Sequence, residues 1–312
     1  MIEFTRWLIL PAAGIVALMA VACGSARPQP QEREVPAGDV TLHVRIAGDP
    51  AAGEVLVGIS GGPGLSSDYM ASLEKLAGPE LIVVTYDPRG TGHSTTPAYD
   101  AANYDLSRYA GDLEAVRKAV GADKVHLLGH SWGGVVAMYY ATVFPEHVDA
   151  IVLMGSGPPN IEGLRLAQRH FQERIVELTR QGLIPENLSS VGAAQVRAIL
   201  PAYFSDPSFE PPAELLDMTF SQTVSDLTLS ALGQYDMTGE VARLDQRVLI
   251  LFGEDDPFDL SMAEATRDAL SAAEVEFVVL EQCGHFWQEC PDRFYAAVRS
   301  FLGLPLEADN TQ

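Results

Sequence analysis

The residues whose types and spacing suit catalysis begin with Gly129-His130-Ser131-Trp132-Gly133. An apolar run, Val125 to Leu128, leads into this G-x-S-x-G pattern and a helical pattern leaves it. In that setting a serine sits on a strained strand-to-helix turn with its oxygen exposed. A serine hydroxyl is a weak nucleophile until a general base takes its proton, and that base needs a carboxylate to fix its tautomer and stabilise the imidazolium. On such an elbow the partners follow in the chain order serine, acid, histidine. Of the histidines after Ser131, His147 lies just past the helix that follows the nucleophile and His170 lies in a helical stretch, which leaves His285 in Cys283-Gly284-His285. The acid belongs after the preceding strand, where Glu254, Asp255 and Asp256 offer three adjacent carboxylates. Asp259 suits a cap for a helix beginning near Ser261. Ser60-Gly61-Gly62-Pro63-Gly64 follows another apolar run. The amides of Gly62 and Trp132 are the expected oxyanion donors.

These groups need a scaffold that brings distant loops to one edge. From residue 40 onward, strand-like and helix-like segments alternate, as in βαβ units with a mostly parallel sheet. Residues 40–46 alternate apolar and polar side chains, which fits an antiparallel strand with one wet face. Short apolar runs at 55–59, 81–86, 125–128, 151–154, 248–252 and 277–280 fit buried parallel strands, and helical patterns cover 66–76, 106–120, 132–144, 261–272 and 291–301. Residues 157–240 break the rhythm with helical stretches at 161–180, 193–200 and 212–220 and no convincing strand. They are expected to form a cap over the carboxyl edge of the sheet, where open α/β folds bind ligands. The core is then 39–156 and 241–304, with a tail from 305 to 312.

With these motifs in place, residues 40–302 resemble an α/β-hydrolase. The resemblance implies a mostly parallel central sheet, helices on both faces and a helical cap inserted after the sixth strand. Within that superfamily the chain is most similar to the proline iminopeptidase family, through SGGPG at 60–64, DPRGTGHS at 87–94 and GHSWGG at 129–134. It departs from the family at Ser60, where His is usual, and at Pro88, where Gln is usual. The G-x-x-D spacing of similar hydrolases selects Asp256 as the acid, with Asp255 as alternate. Asp87, Arg89 and Ser94 are expected to hold their own loop together. The resemblance implies a serine aminopeptidase that removes N-terminal residues from short peptides by a Ser131–His285–Asp256 acyl-enzyme mechanism, without metal or organic cofactor. Such enzymes are expected to hold the substrate's α-amino group with cap carboxylates. Glu162, Glu173, Glu177, Glu210 and Glu214 are available, and no motif selects among them. The alternatives are a carboxylesterase or lactonase on small acyl substrates and, in another class, a non-catalytic binding lipoprotein of the same fold.

Composition narrows the partners. The chain has 312 residues, 47% of them hydrophobic, with 42 acidic against 20 basic side chains and a formal net charge of −22. Nucleic acid is excluded, because its phosphates are held mainly by Lys and Arg. Lys75, Lys118 and Lys124 are the only lysines, so no polybasic patch meets an anionic membrane. The substrate is expected to be a small molecule or short peptide. Residues 7–22 form an apolar run after Arg6 and before Cys23-Gly24-Ser25. The run is short for a membrane span and reads as a signal peptide over 1–22. Ala20-Val21-Ala22-Cys23 resembles a bacterial lipobox, which implies lipidation of Cys23 and an extracytoplasmic lipoprotein touching the membrane through its lipid alone. Residues 23–38 are expected to be a flexible tether. Cys283 and Cys290 flank His285, either as a disulfide or as two buried thiols.

Overall fold

The computed structural model describes residues 29–49, 52–188 and 192–305. The expected signal peptide, Cys23 and residues 306–312 of the expected tail lie outside the described residues. Among the described residues the strands are β1 (Gln31–Ala37), β2 (Val40–Ala47), β3 (Glu54–Ile59), β4 (Leu81–Tyr86), β5 (Val125–His130), β6 (Val148–Met154), β7 (Arg247–Gly253) and β8 (Glu274–Leu280). They form one sheet in the order β1-β2-β4-β3-β5-β6-β7-β8. The β1–β2 and β2–β4 pairs are antiparallel and the remaining pairs parallel.

Side-chain alternation along the central strands feeds two cores, one on each face of the sheet. Val55, Val57 and Ile59 of β3 and Val248, Ile250 and Phe252 of β7 point to one face. Leu56, Leu249 and Leu251 point to the other. The first face is covered by α1 (Leu106–Ala119) and α2 (Trp132–Val143). The second is covered by a 3-10 helix over Asp68–Leu76 and, at the end of the chain, by the helix Pro291–Leu302. Each fully buried Leu, Val, Ile or Phe side chain contributes roughly 1.5–3 kcal/mol relative to exposure. The continuous apolar runs read from the sequence are therefore what fixes these strands between two helical layers.

Between β6 and β7 the chain forms α3 (Ile161–Arg180), α4 (Ala193–Ile199), α5 (Ala213–Leu216), α6 (Gln222–Leu232) and α7 (Thr238–Val241). After β7 come α8 (Leu260–Ala269) and, past β8, α9 (Pro291–Leu302). The helical insertion thus follows the sixth strand. Of the helix expected over 212–220 only α5 forms, and α6 and α7 were not foreseen.

One expectation is corrected. Residues 31–37, assigned to a flexible tether, form β1 and pair along its whole length with β2, from Gln31 opposite Ile46 to Ala37 opposite Val40. The tight turn at Gly38-Asp39 joins the strands, with Gly38 in the left-handed region at φ 64°. Only Val35 and Ala37 of β1 are buried, so its apolar signal is too thin to read as a strand. As an edge strand it tolerates Pro36. Among the described residues no helix is long and apolar enough to cross a membrane.

Candidate active site

Because β3, β5, β6, β7 and β8 are parallel, their carboxyl ends lie along one edge. The glycine loop after β3, Ser131 after β5, Asp256 after β7 and His285 after β8 all emerge there. Ser131 has φ 55° and ψ −120°, an unusual conformation for a residue with a Cβ, of the kind that tertiary structure holds in place at functional sites. Gly129 allows the turn: a Cβ on it would lie 2.5 Å from the Gly133 oxygen and from the Gly134 Cα. The elbow is pinned from below, since Ser131 N–H donates to the Met154 carbonyl and Gly157 N–H donates to the Ser131 carbonyl.

Of the three adjacent carboxylates, Asp256 is the one that meets the histidine. Its Oδ2 lies 2.8 Å from His285 Nδ1, and both residues are buried. Asp255 instead accepts a hydrogen bond from Ser205 Oγ at 2.6 Å, and Glu254 accepts one from Gln282 N–H. Asp259 accepts from Ser261 N–H at 3.0 Å and caps α8. The His285–Asp256 pair abuts the turn that pins Ser131: a Cβ on Gly155 would stand 2.9 Å from His285 Nδ1 and 3.1 Å from Asp256 Oδ2. With Nδ1 committed to the carboxylate, Nε2 is the ring nitrogen left for a hydroxyl proton.

The His285 loop is fastened on several sides. Cys283 and Cys290 are joined in a disulfide with a Cα–Cα distance of 5.6 Å, which decides between the two readings of that pair. Glu289 Oε2 accepts from the amides of Gly284 and Ser205, and its Oε1 accepts from that of Asp206. His285 N–H donates to the Tyr203 carbonyl at 2.7 Å. The loop is thereby tied to the insertion between β6 and β7.

A buried relay, not anticipated from the sequence, links the three loops. Gly61 N–H donates to Tyr69 Oη at 2.7 Å, and Tyr69 Oη lies 2.8 Å from His130 Nδ1. His130 Nε2 lies 3.0 Å from the His285 carbonyl oxygen, which can only accept. Nε2 therefore carries the proton, and Tyr69 donates to Nδ1. Burial, reinforced by the nearby His285, holds the His130 pKa well below the usual histidine range. Burial also pushes the Tyr69 phenol up, so it stays protonated. In sequence His130 is only the variable position of G-x-S-x-G, and Tyr69 carries no motif.

Gly62 and Trp132 line one cavity with Ser131. Trp132 is the first residue of α2, a position whose amide has no acceptor within the helix. The cavity has a volume of about 480 Å³ and is walled in part by Leu164, Ala167 and Phe171 of α3, Leu229 of α6 and Phe258. Asp87, Arg89 and Ser94 lie outside its lining; Asp87 and Ser94 hold their own loop, and Arg89 ties it to α1. Asp87 accepts from Ser67 and from His93 N–H. Arg89 makes a bidentate pair with Asp112 at 2.7 and 2.8 Å. Ser94 Oγ donates to the Asp87 carbonyl. His147 sits beside Glu114.

An eight-stranded, mostly parallel sheet with helices on both faces and a serine elbow at its carboxyl edge defines a class, and the family model for the alpha/beta hydrolase fold matches residues 54–289. The chain belongs to the α/β-hydrolase family. Among curated relatives, a proline iminopeptidase of Lacticaseibacillus rhamnosus is 28% identical over 261 residues, 78% of this chain and 88% of the relative. Among solved structures, a proline iminopeptidase of Mycobacterium smegmatis superposes with a TM-score of 0.70 at 21% identity, covering 88% of this chain and 98% of the other. An esterase from Exiguobacterium antarcticum gives 0.67 at 20% identity, covering 88% and 100%. The two structural likenesses speak to fold alone.

Proposed function

We propose that the protein is a serine hydrolase. Ser131 Oγ attacks an acyl carbon while His285 Nε2 takes its proton, and Asp256 holds Nδ1–H and stabilises the imidazolium. The oxygen that becomes negative is received by the amides of Gly62 and Trp132, each such donor being worth about 3 kcal/mol in the transition state. His285 then gives its proton to the leaving group, whose bond to the acyl carbon breaks. Water, deprotonated by the same imidazole, releases the acyl group from Ser131. The observation that carries this reading is the buried 2.8 Å Asp256–His285 pair set against the turn that pins Ser131. A fluorophosphonate probe tests it: the wild-type protein is expected to be labelled and Ser131→Ala is not, and an unlabelled wild type refutes the proposal.

Likeness to the proline iminopeptidases supports an aminopeptidase acting on the N-terminal residue of short peptides. An ester or lactone hydrolase is the second reading, favoured by the uncharged lining of the cavity. Proline, alanine and leucine arylamides compared with short p-nitrophenyl esters separate them, because turnover of esters alone excludes the peptidase. We also propose that the enzyme is an extracytoplasmic lipoprotein held through a lipidated Cys23, on the evidence of the apolar run and the lipobox-like Ala20-Val21-Ala22-Cys23. Mass spectrometry of the mature amino terminus from membranes checks this, and an unmodified Cys23 refutes it.

A further inference from the structure

An enzyme that selects a free amino terminus must hold an ammonium group one bond beyond the carbon next to the scissile carbonyl. Taking that charge out of water is costly unless a carboxylate or an array of acceptors replaces the lost hydration. The cavity beside Ser131 supplies no such charge. Among the described residues that line it, none is Asp, Glu, Lys, Arg or His, in a chain with 42 acidic residues. Its walls are chiefly Trp132, Leu164, Phe171, Tyr203, Phe258 and Met262. The polar side chains besides Ser131 and the Tyr203 phenol are Gln168, Gln172 and Ser225, all neutral.

Among the described residues no carboxylate of the insertion lines the cavity, and the five glutamates that the resemblance offered are engaged or exposed elsewhere. Glu214 accepts from Ser72 N–H and from Gln288 Nε2. Glu162 pairs with Arg165, and Glu177 with Arg180. Glu173 and Glu210 are exposed and outside the lining. Gln168 and Gln172, by contrast, are one helical turn apart on α3, on the stripe that also carries Leu164 and Phe171 into the cavity. Both amides are solvent-exposed, which puts them at the open side. A carboxamide donates and accepts hydrogen bonds but cannot neutralise an ammonium.

We propose that this cavity is an acyl site for an uncharged, largely apolar acyl group, with Gln168 and Gln172 as specificity-determining residues that offer a free α-ammonium no counter-charge. The proposal rests on the serine-hydrolase reading, takes the ester reading against the aminopeptidase one, and names its substrate class. It is tested with p-nitrophenyl esters of N-acetylproline, proline and hexanoic acid at about pH 6, where an α-amino group of ordinary pKa about 7.7 is charged. The first two share the prolyl skeleton and differ in the acetyl group, which removes the charge.

The expected kcat/KM for N-acetylproline exceeds that for proline by tenfold or more, with hexanoate also turned over. Gln168→Glu or Gln172→Glu is expected to move the proline to N-acetylproline ratio at least tenfold toward proline, while fluorophosphonate labelling of Ser131 persists. A ratio under tenfold or in favour of proline overturns the proposal, as does a ratio that neither substitution moves. Labelled Ser131 with no turnover of any of the three esters also overturns it. Absence of labelling is instead the failure of the serine-hydrolase reading, so the two failures are distinct.

Discussion

Replacing Tyr69 by Phe removes one oxygen and keeps the ring that lies edge-on to His130 and Phe286. That oxygen accepts from Gly61 N–H at 2.7 Å and donates to His130 Nδ1 at 2.8 Å. Tyr69 is 0% and His130 1% exposed, so solvent does not reach the site to take its place. A buried group deprived of its partner costs about 1–3 kcal/mol. Two are stranded here, and no cavity larger than one oxygen is made, so a loss of about 3 kcal/mol is expected. For a chain of this size that lowers Tm by roughly 5 °C. Gly61 and His130 immediately precede Gly62 and Ser131, so kcat should fall about tenfold with KM little changed. Thermal and urea unfolding give the stability, and p-nitrophenyl ester turnover gives the kinetics. His130→Leu strands Tyr69 Oη and the His285 carbonyl, so the double variant should cost at least about 1 kcal/mol less than the two singles added. Tyr69→Phe within about 0.5 kcal/mol of wild type, the scatter of an ordinary surface substitution, or strict additivity in the cycle, would refute a shared relay.

Gly129→Ala places a methyl group 2.5 Å from the Gly133 oxygen and the Gly134 Cα. It should destabilise by about 3 kcal/mol through overpacking, and an unchanged urea midpoint would contradict the close approach. Cys283→Ala with Cys290→Ala opens a disulfide spanning a sequence separation of 7. Loop-closure entropy for so short a loop gives a loss of about 2–3 kcal/mol, and wild-type protein in dithiothreitol should match the double variant in its urea midpoint. Glu114 is held at a pKa of about 2, below its ordinary 4.5, chiefly by its hydrogen bonds from Arg117, with Tyr140 and Lys118 adding to them. A folded-state pKa below the unfolded one contributes stability above the unfolded value, here at most about 3 kcal/mol. That stability drains away as pH falls from 4.5 toward 2. Glu114→Gln should lack this part of the pH–stability curve, and a curve like that of wild type would refute the assignment. His130, whose pKa is lowered by burial, adds stability above an ordinary histidine pKa of about 6.5 that declines below it. His130→Leu should flatten that region of the curve measured by urea unfolding.

Much of the scaffold is written locally. A run such as Val248 to Phe252 is apolar on both faces and leaves little choice but a strand between two layers. Strand, G-x-S-x-G and helix in succession specify the Ser131 elbow, because the glycine at 129 is the residue that lets β5 and α2 touch. The chain order serine, acid, histidine then singles out His285 by elimination. The weak signals were those with few apolar residues, as in β1, where two buried side chains carry the whole amphipathic pattern. The family resemblance already selected Asp256 among three adjacent carboxylates, and the tertiary structure supplied the physical reason: Asp256 reaches His285, while Asp255 and Glu254 turn to Ser205 and Gln282. The tertiary structure alone joined Tyr69 to His130 across 61 positions and closed Cys283 on Cys290. It also emptied the cavity beside Ser131 of charge while the surface kept so many carboxylates. Contacts between residues distant in the chain depend on how strands register and loops converge, and no spacing in the sequence encodes which side chains then face one another.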